Sequence, residues 1–186
     1  MAQFDFIHTP LQGVILVQRK ANVDHRGFLS RFYCANEFRN AGFDKPIVQM
    51  NQTLTLNKGS VRGLHFQYSP HAEAKVVSCL KGEIFDVVVD LRRNSPTFLH
   101  WHGEVLSETN RKSLIIPEGF AHGMQTLVED CELIYLHTAV YYPEAKGALN
   151  VLDPRINIIW PLPVKNLSEQ DRIHPFINQD YQGVFP

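Results

Sequence analysis

Lys75-Val76-Val77-Ser78-Cys79-Leu80-Lys81-Gly82-Glu83-Ile84-Phe85-Asp86-Val87-Val88-Val89-Asp90 holds two β-rich runs parted at Lys81-Gly82-Glu83. Neither run keeps the 3.6-residue apolar period of a helix, and β-branched residues crowd both, so each reads as a strand. The same texture recurs outward in both directions, at 14–17, 27–33, 51–56, 99–105, 111–116 and 133–138, with Gly, Pro, Asn and Asp between the runs. This spacing predicts an all-β sandwich or barrel. Helical signal is confined to 36–41, where Asn36 offers a cap and Gly42 a stop, and to a turn near Ser168. Both helices are expected at the periphery. Trp160-Pro161-Leu162-Pro163 marks where the barrel is expected to give way to a C-terminal tail.

The 186 residues fit a single domain, 1–186, large enough to bury a core without staples. With 44% hydrophobic and 20% charged residues and a net charge of −1, the composition is that of a folded globular chain. No basic excess points to nucleic acid. The start, Met-Ala-Gln-Phe-Asp-Phe-Ile-His, lacks a positive segment followed by an apolar run, and no apolar stretch reaches membrane-spanning length, so a cytoplasmic location with no membrane partner is expected. Cys34, Cys79 and Cys131 are odd in number and widely spaced, which predicts buried thiols rather than a disulfide framework.

Polar side chains pointing into a barrel must be satisfied or must serve a ligand. Arg62-Gly63-Leu64-His65-Phe66-Gln67 would place a guanidinium and an imidazole on one face if the strand bends at Gly63. That arrangement suits an anion clamp beside a base, or a buried His bonded to backbone with an Arg on the rim. Lys75 and Tyr135 have the same two readings: cavity groups, or a snorkelling Lys and a core aromatic whose hydroxyl reaches solvent. Pro117-Glu118-Gly119-Phe120-Ala121-His122 resembles the second cupin motif, which would make His122 a metal ligand. Yet the first motif is represented only by His65, His71 and Glu73, an incomplete set for a catalytic metal. His100-Trp101-His102 reads as an exposed strand face. Ser168-Glu169-Gln170-Asp171 reads as a capping box, or as a tail carboxylate able to pair with a His.

Taken together, Arg26-Gly27-Phe28, Gln49 with Asn51, Val61 to Gln67, Lys75-Val76-Val77, Gly82 to Arg92, Ser95-Pro96-Thr97, Ile116 to Gly123 and Leu167-Ser168 with Asp171 resemble the dTDP-4-dehydrorhamnose 3,5-epimerase family. The resemblance runs in the family's order from about residue 10 to 175. It implies a cupin-like jelly roll, a homodimer, a nucleotide-sugar substrate, a role in deoxysugar and lipopolysaccharide biosynthesis, and chemistry with neither metal nor cofactor. It assigns His65 as base, Asp171 as its partner, Tyr135 as the acid on the opposite face and Lys75 as the cation at the enolate oxygen. Arg62 would hold the diphosphate, Gln49, Asn51, His122 and Tyr141 would line the sugar site with Lys146 nearby, Arg26, Phe28 and Arg31 would belong to the nucleotide pocket, and Asp86 would orient His122.

The chain departs from the family pattern at four places. Arg31 and Lys146 stand where many members carry Glu, Gln170 where they carry Lys or Arg, and Val140 where they carry Tyr. Arg donates but cannot accept, so Arg31 in a nucleotide pocket would favour a base with acceptor edges, such as cytosine, over thymine. The loss of a tyrosine at Val140 points to inversion at one carbon. Three other functions remain open: a 3,4-ketoisomerase of the same fold, a metal-dependent cupin oxygenase and a non-catalytic sugar-binding barrel.

Overall fold

The computed structural model describes residues 2–185. Thirteen strands occur in chain order: β1 (Phe4–His8), β2 (Ile15–Arg19), β3 (Ala21–Asp24), β4 (Gly27–Ser30), β5 (Gln49–Thr55), β6 (Val61–Gln67), β7 (Lys75–Lys81), β8 (Glu83–Asp90), β9 (Trp101–Ser107), β10 (Lys112–Ile116), β11 (Phe120–Thr126), β12 (Cys131–His137) and β13 (Lys146–Ala148). The helices α1 (Ala35–Arg39) and α2 (Glu169–Ile173) are short.

Eleven strands form two antiparallel sheets, ordered β1-β2-β10-β7-β12-β5 and β13-β6-β11-β8-β9, while β3 and β4 make a separate ribbon. The sheets face one another. Leu16, Val77, Leu114 and Leu133 of the first pack against Ile84, Val88, Leu106 and Met124 of the second in one buried cluster. This is the expected cupin-like jelly roll, filled with apolar side chains at one end and open at the other.

The outer face of each sheet is also covered. Phe38 of α1, wholly buried, sits with Phe4, Val17, Val76 and Leu136 on the six-stranded sheet. The C-terminal tail lays Leu149, Val151 and Ile156 over Val61, Leu64, Phe66 and Val89 of the other. The tail therefore leaves the barrel after Ala148, before the proline-rich stretch, whose Trp160 donates from Nε1 to the Val151 carbonyl at 2.9 Å.

Several expectations shift. The first helix begins at Ala35 after Cys34, with no side-chain cap, rather than at an Asn36 cap. Packing of Phe38 sets its position, and Gly42 at φ +83° ends it with Gly42 N–H on Arg39 and Phe43 N–H on Phe38. Of residues 27–33, only Gly27–Ser30 form a strand, the exposed ribbon strand β4 rather than a barrel strand. Trp101, not Leu99, opens β9, because Leu99 takes a positive φ of 62°. His102 is half-buried, its Nε2 3.7 Å from Glu104, so the expected exposed face is corrected. Strands β1, β3, β11 and β13 escaped notice as strands. In β11, Phe-Ala-His-Gly-Met-Gln-Thr is buried at every position, so no alternation marks it.

Candidate active site

The open end of the barrel is a cavity of about 910 Å³ between the two sheets. Such a volume suits a small-molecule ligand. Alternation turns Asn51, Thr53 and Thr55 of β5, Lys75 of β7, and Tyr135 and His137 of β12 into it from one wall. From the other come Arg62 and His65 of β6 and His122 of β11.

Arg62 and His65 share this wall because β6 is irregular at Gly63. The register against β11 slips between His122 and Met124, and Gly63 has a φ of 134°. A Cβ at Gly63 would lie 2.6 Å from Gly123 Cα, so glycine is required by both conformation and contact. The bend expected from the sequence is present. Arg62 Nε donates to Thr55 Oγ1 at 2.9 Å, which bridges the two sheets across the cavity.

His65 is supported from the tail. Its Nε2 lies 2.6 Å from Asp171 Oδ1. Ser168 caps α2 by accepting from Asp171 N–H at 3.0 Å, so the capping box and the carboxylate partner are one device. Burial alone would push the Asp171 carboxyl up, but His65, Ser168 and the Gly63 N–H outweigh it and hold the group below the ordinary carboxylate range. An ionised carboxylate at one ring nitrogen leaves the other free to take a proton.

Across the cavity, burial first and then the Asp86 charge push the Tyr135 phenol well above its usual value of about 10, against the pull of Thr53 and Arg62. Tyr135 therefore keeps its proton at neutral pH. The His122 ring meets it edge-on at 6.1 Å, and His122 Nε2 is 2.8 Å from the fully buried Asp86 carboxylate.

Lys75 is buried, not snorkelling, and its Nζ lies 2.8 Å from Glu73. Glu73 also receives His137 Nδ1 at 2.7 Å. Burial raises the Glu73 carboxyl, but the His137 hydrogen bond and the Lys75 charge prevail and bring it down to about 2. Neither the Glu73–His137 contact nor His137 itself was foreseen. The available signal was parity: His137 follows Tyr135 by two residues and so shares its face.

Gln49 lies beside the cavity and works through backbone, its Oε1 accepting Tyr141 N–H at 3.0 Å and so fixing Tyr141 at the rim. Lys146 lines the cavity and donates to Gln170 at 3.1 Å. Arg26, Phe28 and Arg31 lie outside this cavity. Arg26 pairs with Asp24 at 2.6 Å, Arg111 stacks on Phe28 at 4.6 Å, and Arg31 pairs with Glu37 at 3.3 Å. The cupin metal set does not assemble either. Glu73 and His122 have the partners just described, and His71 stacks on Tyr142 at 3.9 Å. Among the described residues the one cluster of ligating atoms within 4.8 Å is His65, Asp171 and His174.

A profile described as dTDP-4-dehydrorhamnose 3,5-epimerase matches residues 8–179. The chain belongs to the dTDP-4-dehydrorhamnose 3,5-epimerase family. It is 41% identical over 175 residues to the enzyme of that name from Methanothermobacter thermautotrophicus, covering 92% of this chain and 94% of the relative. The crystal structure of dTDP-6-deoxy-D-glucose-3,5-epimerase from Legionella pneumophila with dTDP-4-keto-L-rhamnose superposes with a TM-score of 0.91, at 35% identity over 98% of this chain and 99% of that one. A 3'-monoepimerase from Streptomyces bikiniensis in complex with dTDP-quinovose has a TM-score of 0.85 and 30% identity, over 90% of this chain and 85% of its own. Members of the epimerase family thus surround this chain in both sequence and fold. It is a sugar-nucleotide epimerase of deoxysugar biosynthesis, an isomerase by reaction class. Among the described residues no helix is long and apolar enough to cross a membrane.

Proposed function

We propose that this epimerase inverts carbons flanking the ketone of a dTDP-linked 4-keto-6-deoxyhexose, with His65 as base, Tyr135 as acid and Lys75 at the enolate oxygen. One observation carries the reading: His65, backed by Asp171, and protonated Tyr135 face the same cavity from opposite sheets. A proton beside a ketone becomes removable when its electron pair can pass into an enolate held by a cation. His65 takes the proton from one face of the sugar, Lys75 balances the oxygen's charge, and Tyr135 returns a proton to the other face. The carbon is thereby inverted, and each proton transfer is worth about 10²–10⁴-fold. These steps use only side chains of this chain, and Arg62, which lines the same cavity, holds the diphosphate as a guanidinium clamp in this proposal.

Thymidine is the nucleotide we propose. The relatives' names carry dTDP, and Arg31, which argued for cytosine, has Glu37 as its partner outside the cavity. We further propose a cytoplasmic homodimer. Unpaired thiols suit a reducing compartment. The edge strand β5 exposes Met50 and Leu54, and the β3–β4 ribbon exposes Val23, Phe28 and Leu29 at 60–73%, a large apolar surface for a single copy. A ribbon reaching a second copy would bring Arg26, Phe28 and Arg31 to that copy's cavity.

The test is NMR in deuterated water with dTDP- and CDP-linked 4-keto-6-deoxyglucose. Inverted product from the dTDP sugar, with deuterium at one or both flanking carbons, is expected. Preference for the CDP sugar overturns the nucleotide, and a moved ketone without deuterium would establish the ketoisomerase instead.

A further inference from the structure

The wall that carries Tyr135 holds a carboxylate–imidazole pair of its own, the third at this cavity after His65–Asp171 and His122–Asp86. His137 is 8% exposed, lines the cavity and lies with its ring nearly parallel to that of Tyr135, 6.0 Å between centroids at 20°. Both of its ring nitrogens are engaged. Nδ1 meets Glu73 Oε2 at 2.7 Å, and Nε2 meets the Asn51 amide nitrogen at 3.3 Å. A carboxylate at one nitrogen stabilises the imidazolium and aims the other nitrogen. A half-turn of the Asn51 amide would present its oxygen to Nε2–H, so the site can hold His137 in either protonation state. The pair mirrors His65–Asp171 on the facing sheet, with the cavity between them.

Inverting two carbons raises a question of supply. Each inversion removes a proton from one face and delivers another to the opposite face, and the two acidic carbons stand on either side of the carbonyl. One phenol fixed in a strand is aligned with one of them unless the sugar moves. A neighbouring donor on the same wall removes that constraint.

We infer that His137, backed by Glu73, is a second proton donor on Tyr135's wall and serves the flanking carbon that Tyr135 does not. This rests on the epimerase reading above, with His65 as base. At that carbon the C–H bond breaks, its proton passing to His65 and its electron pair into the enolate. The enolate then takes the Nε2 proton of the His137 imidazolium, forming a new C–H bond on the opposite face. His137 is left neutral with Nδ1–H on Glu73, His65 is left protonated, and solvent at the open cavity resets both.

The experiment follows inversion and deuterium wash-in separately at each flanking carbon, using dTDP-4-keto-6-deoxyglucose with wild type, His137→Gln and His137→Phe. Gln keeps a hydrogen bond to Glu73 and Phe keeps the ring, and neither can deliver the proton. Both variants should bind dTDP within about threefold of wild type and keep most of their inversion at one carbon. At the other, inversion should fall at least tenfold while His65-driven wash-in persists. Equal loss at both carbons, or unchanged inversion at both, in either variant that still binds dTDP overturns the inference. Absence of exchange in wild type would instead sink the epimerase reading, so the two failures are distinct.

Discussion

Lys146 Nζ donates to Gln170 Oε1 at 3.1 Å, which makes partners of two positions where the chain departs from its family's pattern. Where many relatives carry Glu and a basic residue, this pair is basic and neutral. In this chain the contact joins β13 to α2 through one cation and one neutral amide. Lys146→Glu should weaken nucleotide-sugar affinity by about 3- to 10-fold at low salt, by removing a cation from the cavity rim. Adding Gln170→Lys should recover most of the loss. A double-mutant cycle in affinity measures the coupling.

Asp171→Asn keeps the size of the side chain and removes the charge behind His65. The turnover number should fall about 10²–10⁴-fold, with dTDP affinity changed little. Steady-state kinetics set beside calorimetric titration with dTDP separates the two effects.

With the roles proposed above, Tyr135→Phe removes the opposite-face proton and leaves the base. His65 would return its own proton or a deuteron to the face it came from. Wash-in with retention of configuration is expected at the carbon Tyr135 serves, with inversion there reduced about 10²-fold or more. NMR of the recovered sugar nucleotide reads both.

Glu73 links stability to pH. Its folded carboxyl lies at about 2, below a reference of 4.5, so its stabilisation is fully present above about pH 4.5 and is lost as pH falls toward 2. At neutral pH the contribution is on the order of 3 kcal/mol. The melting temperatures of wild type and Glu73→Gln should differ most near pH 7 and converge below pH 4. A gap that widened on acidification would contradict the assignment.

Gly63→Ala tests the bend that sets His65 beside Arg62. The new methyl would meet Gly123 Cα at 2.6 Å and the His122 carbonyl at 3.0 Å, in a conformation that alanine avoids. A loss of roughly 2–4 kcal/mol is expected, measured by denaturant unfolding.

Much of this was legible where the signal is local. The β-branched runs at 75–80 and 84–90 became β7 and β8, the bend at Gly63 is real, and Ser168 caps the helix that carries Asp171. The rest is hidden for definite reasons. β11 is buried on both faces, so its Gly and His read as a metal motif rather than a strand. Glu73 and His137 are 64 residues apart and meet only because β7 and β12 are neighbours, a pairing that no local window contains. Arg31 is a different case: it lies outside the cavity of its own chain, paired with Glu37, because the hairpin before it folds away from that cavity, which no local window contains.

In the proposed mechanism the base His65 and the acid Tyr135 hang from different sheets, so the thickness of the sandwich would be the gauge of the reaction. Leu106, Leu114 and Leu133, buried between the sheets and outside the cavity lining, are the spacers that set the distance between its two walls. Trimming such a spacer would leave every reactive group intact and yet let the enzyme exchange protons faster than it inverts carbons. Stereochemical fidelity in this barrel is therefore a property of its oily interior as much as of its polar mouth.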